Sequence, residues 1–127
     1  MGDLVPDINK LQVKIFADGA DLDDIQKLSQ HPAIKGFTTN PTLMRKAEVQ
    51  DYRACAQRVL EIVADRPVSF EVFSDDFSEM EQQALELASW GSNVFVKLPV
   101  TNTKSEFSGP LLQALAGNGV QLNVTAL

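Results

Sequence analysis

The sequence predicts an α/β fold on a parallel sheet, and three observations carry that prediction. Five short runs rich in β-branched and aromatic residues recur along the 127 residues: QVKIFA (12–17), IKGFTT (34–39), VSFEVF (68–73), VFVK (94–97) and VQLNVTA (120–126). Segments with apolar residues at helical spacing stand between them. The order is therefore βα four times over and then a final strand, which implies right-handed crossovers with helices outside the sheet. Two architectures fit: an open doubly wound sheet, or part of a (β/α)₈ barrel. A count of five suits the open sheet. Against it, DGAD after the first strand is not the glycine-rich phosphate fingerprint of that fold.

Each element has its own signals. Residues 1–11 read as an N-terminal extension and 12–127 as one domain. Asp21 is a good N-cap, and Ile25 and Leu28 give the first helix an apolar stripe that ends by His31-Pro32. Pro41 to Arg45 reads as a short helical turn. Asp51 caps a longer helix to Ala64, with Tyr52, Ala56, Val59, Leu60 and Val63 on one face. Asp75 or Asp76 caps the next, where Met80, Ala84, Leu87 and Ala88 line the core side. Trp90-Gly91 closes it, with Gly91 expected in the left-handed conformation. Pro110 delays the last helix to about Ser108 or Gly109, and Gly117-Asn118-Gly119 stops it. The fourth strand, apolar on both faces, suits a sheet covered on both sides.

Composition narrows the function. At 44% hydrophobic residues the chain can build a real core, and 17 acids against 11 bases give a net charge of -6. That balance argues against nucleic-acid binding and against docking on an anionic membrane. No leader and no apolar stretch long enough to span a bilayer is read, so the expected address is cytoplasmic. Cys55 is the single cysteine and is expected as a reduced thiol packed in a helix. Asp21, Asp23 and Asp24 read as a capped helix start rather than metal ligands, and His31 as surface structure; no metal or cofactor is expected.

Polar residues gather toward the carboxyl ends of the strands: Asp18, Asn40, Glu71, Lys97, Asn123 and Thr125. An ammonium at the inner end of a buried strand is costly unless paired or deprotonated, and a deprotonated amine attacks carbonyls. The bland reading of Lys97 lays its stem on apolar surface with its head in water. Asp18 and Asn40 equally suit turn chemistry, and Asn123 and Thr125 could satisfy nearby backbone. Glu71 is harder to dismiss, since Phe70, Val72 and Phe73 surround it. A lysine and two carboxylates from different strands on one rim favour a site, because barrel enzymes place catalytic groups there.

The segments IFADGAD, GFTTNPTL, SFEVF, VFVKLPVT and LNVTA resemble, in order and spacing, those of the transaldolase family, including its fructose-6-phosphate-aldolase-like branch. The resemblance implies a TIM barrel and a metal-free class I aldolase of the pentose phosphate pathway, acting on sugar phosphates. It implies that Lys97 is the Schiff-base lysine and that Asp18 takes the hydroxyl proton as the C3–C4 bond breaks. Glu71 and Thr125 would handle protons through a water. Asn40 and Asn123, with Thr39 beside them, would bind the dihydroxyacetone moiety. One departure is Gly19, where many relatives carry threonine. Another is the stop at Leu127, directly after LNVTA, where the family continues through three more strands. The expectation is an incomplete barrel of about five strands whose inner-face Phe16, Phe70 and Phe95 lose cover, a truncated and inactive remnant that self-associates through exposed strand edges. The alternative is a non-catalytic half-barrel that binds a partner or a small ligand.

Overall fold

A computed structural model describes residues 14–19, 21–39 and 51–126. Its elements are β1 (Ile15–Asp18), α1 (Leu22–Ser29), β2 (Ile34–Thr38), α2 (Tyr52–Ile62), β3 (Val68–Glu71), α3 (Phe77–Ala88), β4 (Val94–Pro99), α4 (Gly109–Gly117) and β5 (Leu122–Thr125). All strand pairs are parallel, and the spatial order is β1-β2-β3-β4-β5. That order decides between the two architectures. A doubly wound sheet reverses direction at a switch point, whereas here every strand lies beside its sequence neighbours. The described residues form a curled half-barrel of five strands and four helices, with β1 and β5 at its edges.

The helix starts follow from their caps. Asp21 accepts from the backbone N–H groups of Asp23 and Asp24, Asp51 from Ala54, and Asp76 from Glu79. Asp75, the other cap considered, turns instead to Thr103. α4 lacks a side-chain cap, and Pro110 in its first turn loses no helical bond, because that N–H has no intrahelical partner. The left-handed glycine lies after α4 and not after α3: Gly119 has φ 81°, while α3 ends through Ser89 in the right-handed region.

The sheet buries one face. Along β4 the residues alternate, with Val94, Val96 and Leu98 buried and Phe95, Lys97 and Pro99 half-buried. Val68, Phe70 and Val72 continue the buried side on β3, where Val59, Val63, Met80, Ala84, Leu87 and Leu115 meet them. This corrects two expectations. β4 is not covered on both sides among the described residues, and Phe70 faces the helices rather than the inner side. Its ring is fully buried against Tyr52 and Trp90. Of the expected stripe on α1, Ile25 is buried but Leu28 turns outward.

Two residues tie the amino-terminal ends of the strands. Asn93 donates to the carbonyls of Val63 and Arg66 at 2.9 Å each, and Arg66 donates to Ser29, His31 and Ile34. In parallel barrels that end serves stability, which leaves the carboxyl ends for chemistry. Cys55 is a buried free thiol, as expected, and burial pushes its titration upward. Among the described residues no helix is long and apolar enough to cross a membrane. The expected extension at 1–11, the turn at 41–45 and Asn40 lie outside the described residues.

Candidate active site

Parallel register aligns the inner-face residues in rows. Glu71 pairs with Lys97, and Lys97 with Asn123, so three polar side chains stand side by side on β3, β4 and β5. Neighbouring strands are about 4.8 Å apart, which puts Glu71 and Asn123 one strand spacing either side of the lysine. Thr125 lies two residues beyond Asn123 on the same face, about 7 Å along the strand. The row below contains Asp18, Thr38, Ser69 and Phe95, again in register across β1 to β4. Asp18, Glu71, Lys97, Asn123 and Thr125 thus share one face, reached independently from four strands.

The row is linked by side-chain bonds. The Thr38 hydroxyl donates to Asp18 Oδ1 at 2.6 Å, which holds the carboxylate against the sheet at its edge strand. Asn123 Nδ2 donates to Ser69 Oγ at 3.2 Å, reaching across β4 to a strand two positions away. That reach requires a curled sheet, since flat strands two apart are separated by roughly 10 Å. Behind the row, the Tyr52 hydroxyl donates to the backbone carbonyl of Glu71 at 3.1 Å.

Lys97 is not closed into an ion pair with Glu71: among the described residues the one salt bridge joins Arg66 to Asp65. The sequence made an ammonium in this run costly unless paired or deprotonated. The half-exposed inner face removes that cost, because water reaches the ammonium. Glu71 is likewise half-buried rather than enclosed.

Thr39 is not brought to this face. Alternation after Thr38 turns it to the helix side, where it is 2% exposed and its hydroxyl has no partner among the described residues. Thr38 occupies the inner position instead. Thr38 and Ser69 are the polar residues that sequence reasoning missed. The period of two from Asn40 and from Glu71 points to both, but each sits in an ordinary β-rich run that reads as core. No group of three or more His, Cys, Asp or Glu side chains converges as metal ligands among the described residues.

The family model described as transaldolase/fructose-6-phosphate aldolase matches residues 15–127. The chain belongs to that family. It is 35% identical over 113 residues to a probable transaldolase of Dehalococcoides mccartyi, covering 89% of this chain and 50% of that protein. It is 36% identical over 115 residues to a probable transaldolase of Streptococcus agalactiae serotype V, covering 91% and 51%. A probable transaldolase of Maridesulfovibrio salexigens is 37% identical over 113 residues, covering 89% and 50%. The chain spans about half the length of these curated relatives.

Proposed function

We propose that this chain carries the amine side of a class I aldolase site, in which Lys97 forms a Schiff base with the C2 carbonyl of a ketose phosphate. The row Glu71–Lys97–Asn123 carries the reading: an amine on an accessible face, flanked in register by a carboxylate and an amide. The Lys97 amine adds to the carbonyl to give a carbinolamine, which loses water to become an iminium. Forming the carbinolamine moves a proton from nitrogen to the former carbonyl oxygen, and its loss of water needs a proton delivered to the departing hydroxyl; Glu71 and Thr125 relay these protons through a water. The iminium is an electron sink. The C3–C4 bonding pair moves into it to leave an enamine on Lys97, Asp18 takes the C4 hydroxyl proton, and the aldehyde departs. Asn40 and Asn123 hold the hydroxyls of the retained three carbons. Transfer of that unit to an aldose phosphate would make the reaction a transaldolase step of the pentose phosphate pathway, in the cytoplasm.

Little turnover is expected of the chain by itself. Among the described residues Lys97 is the one cation on the inner strand face, so nothing else there holds a phosphate. The proposal includes self-association through β1 and β5. The test is borohydride reduction in the presence of dihydroxyacetone or fructose 6-phosphate, read by peptide mass. A reduced adduct on Lys97, abolished in Lys97→Met, is the expected result. Labelling no greater at Lys97 than at the exposed Lys27 and Lys35 would overturn the reading and leave a non-catalytic half-barrel.

A further inference from the structure

Carbonyls of alternate β3 residues face β2. Phe37 N–H donates to Pro67 O at 2.9 Å and Thr39 N–H to Ser69 O at 3.1 Å, which makes the Glu71 carbonyl next in that row. The alternation assigns its donor to residue 41, and Pro41 has no N–H to give. The β2–β3 register ends at Thr38 and Ser69, whereas the β3–β4 register runs on to Glu71 and Lys97. The Tyr52 hydroxyl supplies the bond instead, at 3.1 Å. A backbone carbonyl can only accept, so the phenol is the donor and the sense of the bond is fixed. Tyr52 opens α2 behind the Asp51 cap, and its ring packs against Phe70, Phe73 and Trp90. The hydroxyl is thus delivered from a packed ring, not from a loose side chain.

We propose that Tyr52 is a positioning residue whose hydroxyl replaces the ladder bond that Pro41 cannot make, and so holds the Glu71 carboxylate in line with Lys97. The inference rests on the Schiff-base reading of Lys97 and on the part of Glu71 in its proton relay, and adds what keeps Glu71 in place. Glu71 is the last residue of β3, and the direction of its side chain follows from its own backbone. Without the phenol, the strand end is held from the β4 side, by the Val72 N–H on Lys97 O at 3.3 Å. The carboxylate then spends less time where the protons pass, and imine formation slows. Capture of the ketone, which does not involve Glu71, is unaffected.

The experiment times imine formation on the 127-residue chain with dihydroxyacetone, trapped by cyanoborohydride at concentrations where the rate no longer depends on the reductant, and read as adduct at Lys97. Tyr52→Phe keeps the ring and its aromatic contacts. It is expected to lower the rate at saturating dihydroxyacetone about three- to tenfold, the worth of one neutral hydrogen bond, with the half-saturating concentration and the helical circular dichroism unchanged. In a Glu71→Gln background the same substitution should cost nothing further, because the residue it positions is already disabled. Biosynthetic 3-fluorotyrosine, which enters at the chain's single tyrosine and keeps the hydroxyl, should hold the rate. An unchanged rate in Tyr52→Phe, or an equal loss with and without Glu71, would overturn the proposal while leaving the Schiff base standing. Glu71→Gln as fast as the unmodified chain would remove the relay, and absence of any Lys97 adduct the Schiff base itself; either takes this inference with it.

Discussion

Tyr52 reports on the ground directly behind Glu71. Its hydroxyl donates to the Glu71 carbonyl, its ring meets Phe73 edge-on at 4.5 Å, and Phe70 and Trp90 complete the cluster. Burial is the main cause that raises its titration above the usual phenol range, and the nearby Glu71 charge acts in the same direction. Because the folded value lies above the unfolded one, Tyr52 contributes stability that is fully present below about pH 10 and is lost as pH rises toward the folded value. Tyr52 is the chain's single tyrosine, so tyrosinate absorbance reads it alone. Alkaline titration should show no tyrosinate while the fold persists, then a steep rise together with loss of helical circular dichroism. A gradual titration centred near pH 10 with the helices intact would contradict the burial of this ring.

At the scale of elements, the two loops above β3 and β4 are clasped to each other. Thr103 donates through its backbone N–H at 2.8 Å and through its hydroxyl to the Asp75 carboxylate. Asn102, 2% exposed, donates to the Asp75 carbonyl and to Glu106, and accepts from the N–H groups of Lys104 and Glu106. The Thr103 side-chain and backbone bonds hold the Asp75 carboxyl below its usual range. A lowered folded value gives stability that is present above the unfolded value of about 3.9 and is lost as pH falls through the folded one. Thr103→Val should therefore lower the urea midpoint near neutrality, and the gap to the unmodified chain should close in acid. A gap that stays constant with pH would show that the clasp is not charged. None of this was legible in TNTK, which reads only as a polar loop. The elements around it were legible because their signals are local: aspartate caps before α1, α2 and α3, and Pro110 setting the start of α4. Which face a strand residue takes is decided by its neighbours in the sheet. Hence Phe70, expected on the inner face, belongs to the helix side, as does Thr39, expected beside the substrate, while Glu71, Lys97, Asn123 and Thr125 fall on the inner face.

At the scale of the whole molecule, the open question is what the strand edges do. Val96 N–H donates to Gln121 O and Val100 N–H to Thr125 O, so alternate residues of β5 face β4. The backbone groups of Leu122 and Val124 therefore point away from the sheet, and Val124 is 49% exposed. β1 forms the opposite edge, where Phe16 is 42% exposed above Gly36. Among the described residues neither edge is paired, and edges of this kind recruit another strand. Because every strand runs in one direction, a twofold axis along the strands can join β5 of one copy to β1 of the next at both seams, closing the ring without leaving an edge. The chain is expected to sediment as a dimer at moderate concentration. Val124→Pro removes an edge-facing N–H while leaving the β4 ladder untouched, and should shift the chain toward monomer without loss of helicity. A monodisperse monomer would refute self-association outright. A dimer indifferent to Val124→Pro would mean that the copies meet by some surface other than this edge.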